Sequence, residues 1–466
     1  MLAAHTGAAS GTAPAAEQPP DEPRRSRSPQ EATTHDGQRP GVARPVSRRR
    51  LPWLMESEHP HFGLRQATGE YIAFTRHERE RHCYIVGKSG SGKTTTLFNL
   101  AMQDILAGEG VTIIDPHGDL ADMIADCIPR ARTNEVCYLN VADTLRPVGF
   151  NPLAGVPIER RALAASGVVS AFRHLWADSW GARTAHLLYH GVRALLDREG
   201  ATLIDLPRLY TDEVFRESTV ARLTDPVTRR FWEDEFGGYS ANFRSEASAP
   251  ILNKAGQFAT SPNLRLILGQ RAPKFSLEHA MNSRQIVIAN LSKGTIGEDA
   301  TNVLGSLLIS HIQLAAMARS TIKPEQRVPH FIHVDEFQSF TTDAFAAIFS
   351  EARKFAAHFC LANQFTQQIP EKVRAAVLGN AGSLIVFCVA SADATLLAPE
   401  FDKLPPSELT EQHPFTAWIR RGNLGHAKIT ALPRLFPPRD RRAKVVEQSR
   451  RNFGRPRTLI EQPLIR

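Results

Sequence analysis

Short apolar runs alternate with helical ones along most of this chain. The strand-like runs are Cys83–Val86, Val111–Asp115, Val136–Leu139, Gln285–Leu291, Phe331–Asp335, Phe359–Ala362, Leu384–Val389 and Phe415–Ile419. Helical spacing marks Thr95–Leu106, Leu120–Cys127, Ala300–Ala316, Ala344–Phe355 and Glu371–Leu378, which fall between most of them. Strands separated by helices predict an α/β fold with a mainly parallel sheet and helices on both faces. One stretch breaks the rhythm. From Asn151 to about Lys274 strand patterning is sparse, and helical runs dominate: Arg161–Leu175, Arg183–Leu196, Asp212–Leu223, Val227–Phe236 and Ala247–Phe258. They predict an all-helical insertion between two halves of one core. The expected division is a disordered basic N-terminal region (1–55), a first half-core (56–150), the insertion (151–274), a second half-core (275–433) and a basic C-terminal tail (434–466).

The first 55 residues are rich in Ala, Pro, Ser and Arg and show no period, hence the expectation of disorder. The tail, from Arg434 to Arg466, holds ten Arg/Lys against three Asp/Glu. Its prolines (Pro437, Pro438, Pro456, Pro463) argue against a long helix. Two readings of it stand: a solubilising flexible end, or an electrostatic clamp on DNA phosphates or anionic headgroups. The tail carries most of the formal net charge of +8. That charge is therefore no evidence that the folded core binds nucleic acid.

Composition changes the picture little. The hydrophobic share of 42 % and charged share of 22 % are ordinary for a globular protein. Cys83, Cys127, Cys137, Cys360 and Cys388 stand far apart, which predicts buried reduced thiols and neither a disulfide frame nor a zinc site. No run of about 20 apolar residues occurs, so no transmembrane segment is predicted. Val303–Ala316 comes nearest and reads as a buried or amphipathic helix. The N-terminus lacks the apolar stretch of a secretory signal. The expected location is cytoplasmic, or peripheral at the inner membrane.

The chemistry begins at Gly87. The apolar run ending at Val86 passes into Gly87-Lys88-Ser89-Gly90-Ser91-Gly92-Lys93-Thr94, and a helical run starts at Thr95. A glycine-rich turn between strand and helix points backbone N–H groups and a helix N-terminus at phosphate. These residues, with Thr95, are the predicted nucleotide-binding set. Lys93 is expected to reach the β- and γ-phosphates, and Thr94 to ligate Mg2+. Phe331–Val334 leads into Asp335-Glu336, the carboxylates such a site requires on a neighbouring strand. Asp335 is assigned to Mg2+, held through water, and Glu336 to orienting and polarising the attacking water. Gln364, at the end of the next strand, is placed beside Asp335 as a γ-phosphate sensor, or is an ordinary polar strand end. Arg353, late in the following helical run, reads either as a finger reaching a neighbouring subunit's nucleotide or as a solvated helix-end arginine. Asp115 and His117 either face the nucleotide or form a simple turn capped at Asp119.

The ordered set of motifs resembles the HerA/FtsK-type P-loop motor ATPases, and most closely the type IV coupling proteins of conjugation, the TraG/TraD group. It comprises Gly87–Thr94, Asp115-Pro116-His117-Gly118-Asp119, Phe150-Asn151-Pro152-Leu153, Leu291-Ser292-Lys293-Gly294, Asp335-Glu336-Phe337, Glu351-Ala352-Arg353-Lys354, Asn363-Gln364 and Asn380-Ala381-Gly382. The resemblance implies a RecA-like P-loop core, hexameric rings, ATP and Mg2+ as cofactors, DNA as partner, and a membrane-anchored secretion or conjugation partner. It carries the finger role to Arg353 and the sensor role to Gln364. It also likens the insertion to a domain that helps select substrate. Coupling proteins of this group usually carry N-terminal transmembrane helices, which this sequence does not show. Two other functions stand beside DNA translocation: an ATPase that powers protein secretion, and a nucleotide-regulated binding module.

Overall fold

The computed structural model describes residues 60–177, 180–402 and 404–465, so the region expected to be disordered lies outside the described residues. The strands are β1 (His61–Arg65), β2 (Tyr71–Ala73), β3 (Cys83–Val86), β4 (Gly110–Asp115), β5 (Val136–Asn140), β6 (Ile286–Asn290), β7 (His330–Val334), β8 (Ala357–Asn363), β9 (Ser383–Val386), β10 (Thr416–Arg421) and β11 (His426–Ala431). They form one sheet in the order β2-β1-β11-β10-β9-β3-β8-β7-β4-β6-β5. From β9 to β5 all pairs are parallel. From β9 through β10, β11 and β1 to β2 all pairs are antiparallel.

The parallel strands read as unbroken apolar runs because both faces are covered. Along β3, Cys83 and Ile85 enter one core cluster, with Leu97, Phe98 and Met102 of the helix Lys93–Leu106. Tyr84 and Val86 enter the other, with the helix Glu298–Ala318 and the helices between Arg161 and Leu268. That second region holds only helices among its described residues, including Arg161–Leu175, Ala182–Leu196 and Ala241–Thr260. The helix Arg161–Leu175 packs against Glu298–Ala318. The latter is the helix marked by Val303–Ala316. It is long and apolar enough to cross a membrane, yet 72 % of its most apolar window is buried inside the fold.

Two expectations need correction. β7 does not neighbour β3, because β8 lies between them and pairs with both. The tail is helical, with helices at Arg442–Phe453 and Arg457–Ile465. Pro437 and Pro438 precede the first helix and Pro456 follows it, so they bracket it rather than interrupt it. Val445, Ser449 and Phe453 are buried against β5 and the helix Asp119–Cys127. Ser449 Oγ accepts a hydrogen bond from Tyr138 N at 2.7 Å, so the helix covers the open edge of the sheet at β5.

Part of the tail's charge is engaged by the body of the fold, while Arg434, Arg439, Lys444, Arg451 and Arg457 stay exposed. Arg450 grips Asp143 with Nε and Nη2 at 2.7 and 3.1 Å, and Arg442 Nε meets Asp122 at 2.9 Å. Arg441 reaches Thr133 Oγ1 and Arg455 reaches the Ala272 carbonyl. A free, uniformly basic arm is thus not what these residues form.

Candidate nucleotide site

The sheet order determines what converges at the carboxyl ends of the parallel strands. β3 delivers the glycine-rich loop, β8 delivers Gln364, and β7 delivers Asp335 and Glu336. Ligands of open α/β sheets bind at this edge.

The loop is tight. A Cβ on Gly87 would lie 2.5 Å from Phe387 Cβ, and Gly92 has φ +120°. Both positions need glycine, the first for space and the second for its backbone. Lys88, Ser89 and Gly90 are exposed, while Ser91, Gly92 and Lys93 are buried and Thr94 and Thr95 half-buried. Lys93 Nζ folds back to donate to the Lys88 carbonyl at 3.1 Å. Burial lowers its pKa, against the opposing pull of Glu336 and Asp335. Ser91 Oγ is buried without a hydrogen-bond partner among the described residues.

The carboxylates stand opposite. Thr94 Oγ1 donates to Asp335 Oδ2 at 3.2 Å, and Glu336 N donates to Asp335 Oδ1 at 3.0 Å. Burial, then the neighbouring Glu336 and Asp115, push Asp335 up to about 7. Glu336 adopts φ 44°, a left-handed conformation costly for a residue with a side chain and a mark of functional sites. Its two oxygens are held by Gln364 Nε2 at 2.8 Å and Gln338 Nε2 at 2.7 Å. Gln338 escaped sequence reasoning; its position two residues beyond Glu336 was the only signal.

Lys93, Thr94, Asp335, Glu336 and Gln364 are therefore brought together. Arg353 is not among them. It is exposed, in the 3-10 turn Ala352–Phe355 that enters β8 from its amino end. Seven residues of β8 put it roughly 20 Å from the loop of its own chain. Arg353 also helps depress His82, which stands at the start of β3. Asp115 is committed to local structure: it accepts from His117 N at 2.8 Å and Ala121 N at 2.9 Å. The turn forms, with Asp115 rather than Asp119 as the cap, and Asp115 also lies near enough to Asp335 to raise it. His117 is exposed.

Residues 67–399, well over half of the chain, match the family described as the type IV secretion-system coupling protein DNA-binding domain. The chain belongs to that family. Among coupling proteins it is similar to the type 4 coupling protein DotL of Legionella pneumophila, with 23 % identity over 426 residues, covering 78 % of this chain and 53 % of DotL. It thus spans about half the length of that relative. Its fold is similar to that of the bacterial conjugative coupling protein TrwBdeltaN70, at TM-score 0.60 and 16 % identity, covering 84 % of this chain and 93 % of that one. It is also similar in fold to VirB4 of Thermoanaerobacter pseudethanolicus, at TM-score 0.56 and 14 % identity, covering 82 % and 98 %. TrwB has been solved with a non-hydrolysable ATP analogue, and with ADP and Mg2+.

Proposed function

We propose that this coupling-protein family member is an ATP-hydrolysing ring motor that moves DNA, with ATP and Mg2+ as its cofactors. The observation that carries the reading is the convergence of Lys93, Thr94, Asp335, Glu336 and Gln364 at one edge of the sheet. The donor set fits the cofactors. A hydroxyl and a carboxylate within 3.2 Å of each other are hard oxygen ligands suited to Mg2+. A carboxyl raised by burial and then by its acidic neighbours is a site that favours a cation. The loop's N–H groups and Lys93 suit a polyphosphate.

In this reading Thr94 and Asp335 would hold the cation, which would supply charge neutralisation at the phosphoryl group. Lys93 would exchange the Lys88 carbonyl for phosphate oxygens. Glu336 orients and polarises water. It must first be freed from at least one of its glutamines, and Gln364 is the one placed to respond to a γ-phosphate. Arg353 acts across a subunit boundary in a homo-oligomer, a hexamer by resemblance, because it lies too far from its own loop. The helical region 151–274 serves as a substrate-selecting domain between the half-cores 56–150 and 275–433. A membrane-anchored secretion or conjugation complex is the partner.

The test is ATP turnover by the full chain with and without single- and double-stranded DNA. Turnover that needs Mg2+, falls in Lys93→Ala and rises with DNA supports the motor. Turnover indifferent to DNA but raised by a secreted protein would move the assignment to protein secretion. No sustained turnover would leave a nucleotide-regulated binding module.

A further inference from the structure

Phe415, just before β10, is in an unusual state. Its φ is 63°, a left-handed backbone that a large aromatic residue adopts at a cost of about 1 kcal/mol or more. Its side chain is 39 % exposed, whereas Phe387 beside it is fully buried. The strain is held by two backbone hydrogen bonds: Phe415 N donates to the Ser91 carbonyl at 2.8 Å, and Ala431 N donates to the Phe415 carbonyl at 2.7 Å. The first of these bonds is made to the glycine-rich loop itself. The ring abuts that loop too, for a Cβ on Gly92 would lie 3.0 Å from Phe415 Cδ1. A half-exposed aromatic ring is thus held against the start of the helix Lys93–Leu106 by a backbone fixed through these two bonds.

Its position along the sheet gives the ring a meaning. β10 runs antiparallel to β9, so Phe415, just before its first residue, lies at the edge where β3, β8 and β7 end. Along that edge the order is Asp335 and Glu336 after β7, Gln364 after β8, the loop after β3, and Phe415 beyond β9. The loop stands between the carboxylates and the phenyl ring. A nucleotide whose terminal phosphate lies at Thr94, Asp335 and Glu336 must extend its ribose and base away from them. That direction leads toward β9 and β10.

We infer that Phe415 is the platform on which the nucleotide base stacks. The inference rests on the nucleotide site proposed above and adds its base-binding end. Aromatic faces accept any base, so the platform supports affinity without choosing between adenine and guanine.

The experiment titrates ATP, GTP and inorganic tripolyphosphate, each with Mg2+, into the full chain by calorimetry, comparing wild type with Phe415→Gly and Phe415→Trp. Glycine suits the left-handed backbone, so Phe415→Gly should keep or raise Tm while removing the ring. Expected is roughly a tenfold or greater loss of ATP and GTP affinity in Phe415→Gly, near-wild-type affinity in Phe415→Trp, and unchanged tripolyphosphate affinity throughout. Unchanged ATP affinity in Phe415→Gly overturns the platform. Equal losses for ATP and tripolyphosphate also overturn it, since the residue would then only shape the loop. A wild-type chain that binds neither tripolyphosphate nor ATP overturns the phosphate site, and the platform with it.

Discussion

The docked tail makes a claim that can be tested at single atoms. Ser449 is 1 % exposed, and its Oγ is the acceptor for the backbone N–H of Tyr138 on the edge strand β5. In Ser449→Ala the donor stays buried under the helix and loses its partner. An unsatisfied buried donor costs about 1–3 kcal/mol. A middle value of about 2 kcal/mol is roughly thirtyfold in the equilibrium between docked and undocked tail. Phe453, 9 % exposed, offers a second perturbation; Phe453→Ala removes a packed ring, at about 3 kcal/mol or more. Limited trypsin digestion is the assay. The helix Arg442–Phe453 carries Arg442, Lys444, Arg450 and Arg451, so an undocked tail is cut quickly. When opening is fast compared with cleavage, the cleavage rate tracks the open population. Wild type should resist cleavage within the helix, and Ser449→Ala should be clipped roughly thirtyfold faster at those sites. Immediate cleavage of the wild-type tail, or identical rates in all three proteins, would refute the docking argument. Deletion of residues 437–466 should then destabilise the body rather than merely weaken its binding to anions.

Further outcomes are expected. Glu336→Gln should bind ATP with near-wild-type affinity and hydrolyse it at least a hundredfold more slowly, measured by single-turnover phosphate release; equal rates would remove Glu336 from its role. Arg353→Ala should retain ATP binding, lose most turnover, and regain some when mixed with Glu336→Gln subunits. Concentration-independent turnover by a proven monomer would sink the cross-subunit role. His82 Nδ1 accepts from Phe359 N at 2.9 Å, and burial pushes its pKa from 6.5 to about 4. The folded pKa lies below the unfolded one, so this contribution is complete above about pH 6.5 and is lost as pH falls through about 4. Tm should therefore fall over that window, and less steeply in His82→Gln, which can accept the same bond without titrating; parallel curves would refute the assignment.

Much of the site was legible because its signals are local. A strand, glycine-rich turn and helix in sequence carry Gly87 to Thr95, and an apolar run ending in acids carries Asp335 and Glu336. Strand order is not local. Nothing between Phe331 and Gln364 states that β8 slips between β3 and β7. The missed strands β1, β2 and β11 are short or only partly buried, with apolar positions too few to set a period. The tail differs from the expectation because Pro437, Pro438 and Pro456 lie just outside Arg442–Phe453, while Pro463 is taken up near the end of the helix Arg457–Ile465. Phe415 is a single residue whose setting comes from Ser91 and Gly92, distant in sequence, so no motif announces it; Gln338 lies two residues from Glu336, but a lone glutamine there is no motif.

β8 has a consequence for timing. One end of this strand is the turn that presents Arg353, and the other is Gln364, bonded to Glu336. In between it is hydrogen-bonded on both sides, to β3 and to β7, and every residue is buried. A close-packed strand of this kind is stiff along its axis. A shift of its carboxyl end when Gln364 lets go of Glu336 would therefore move the Arg353 turn as well. In a closed ring that turn would face the next subunit's nucleotide. Each firing event would then be handed on along a rod of seven residues, and the order of firing around the ring would be written into the sheet, with no need of a signal through the helical region.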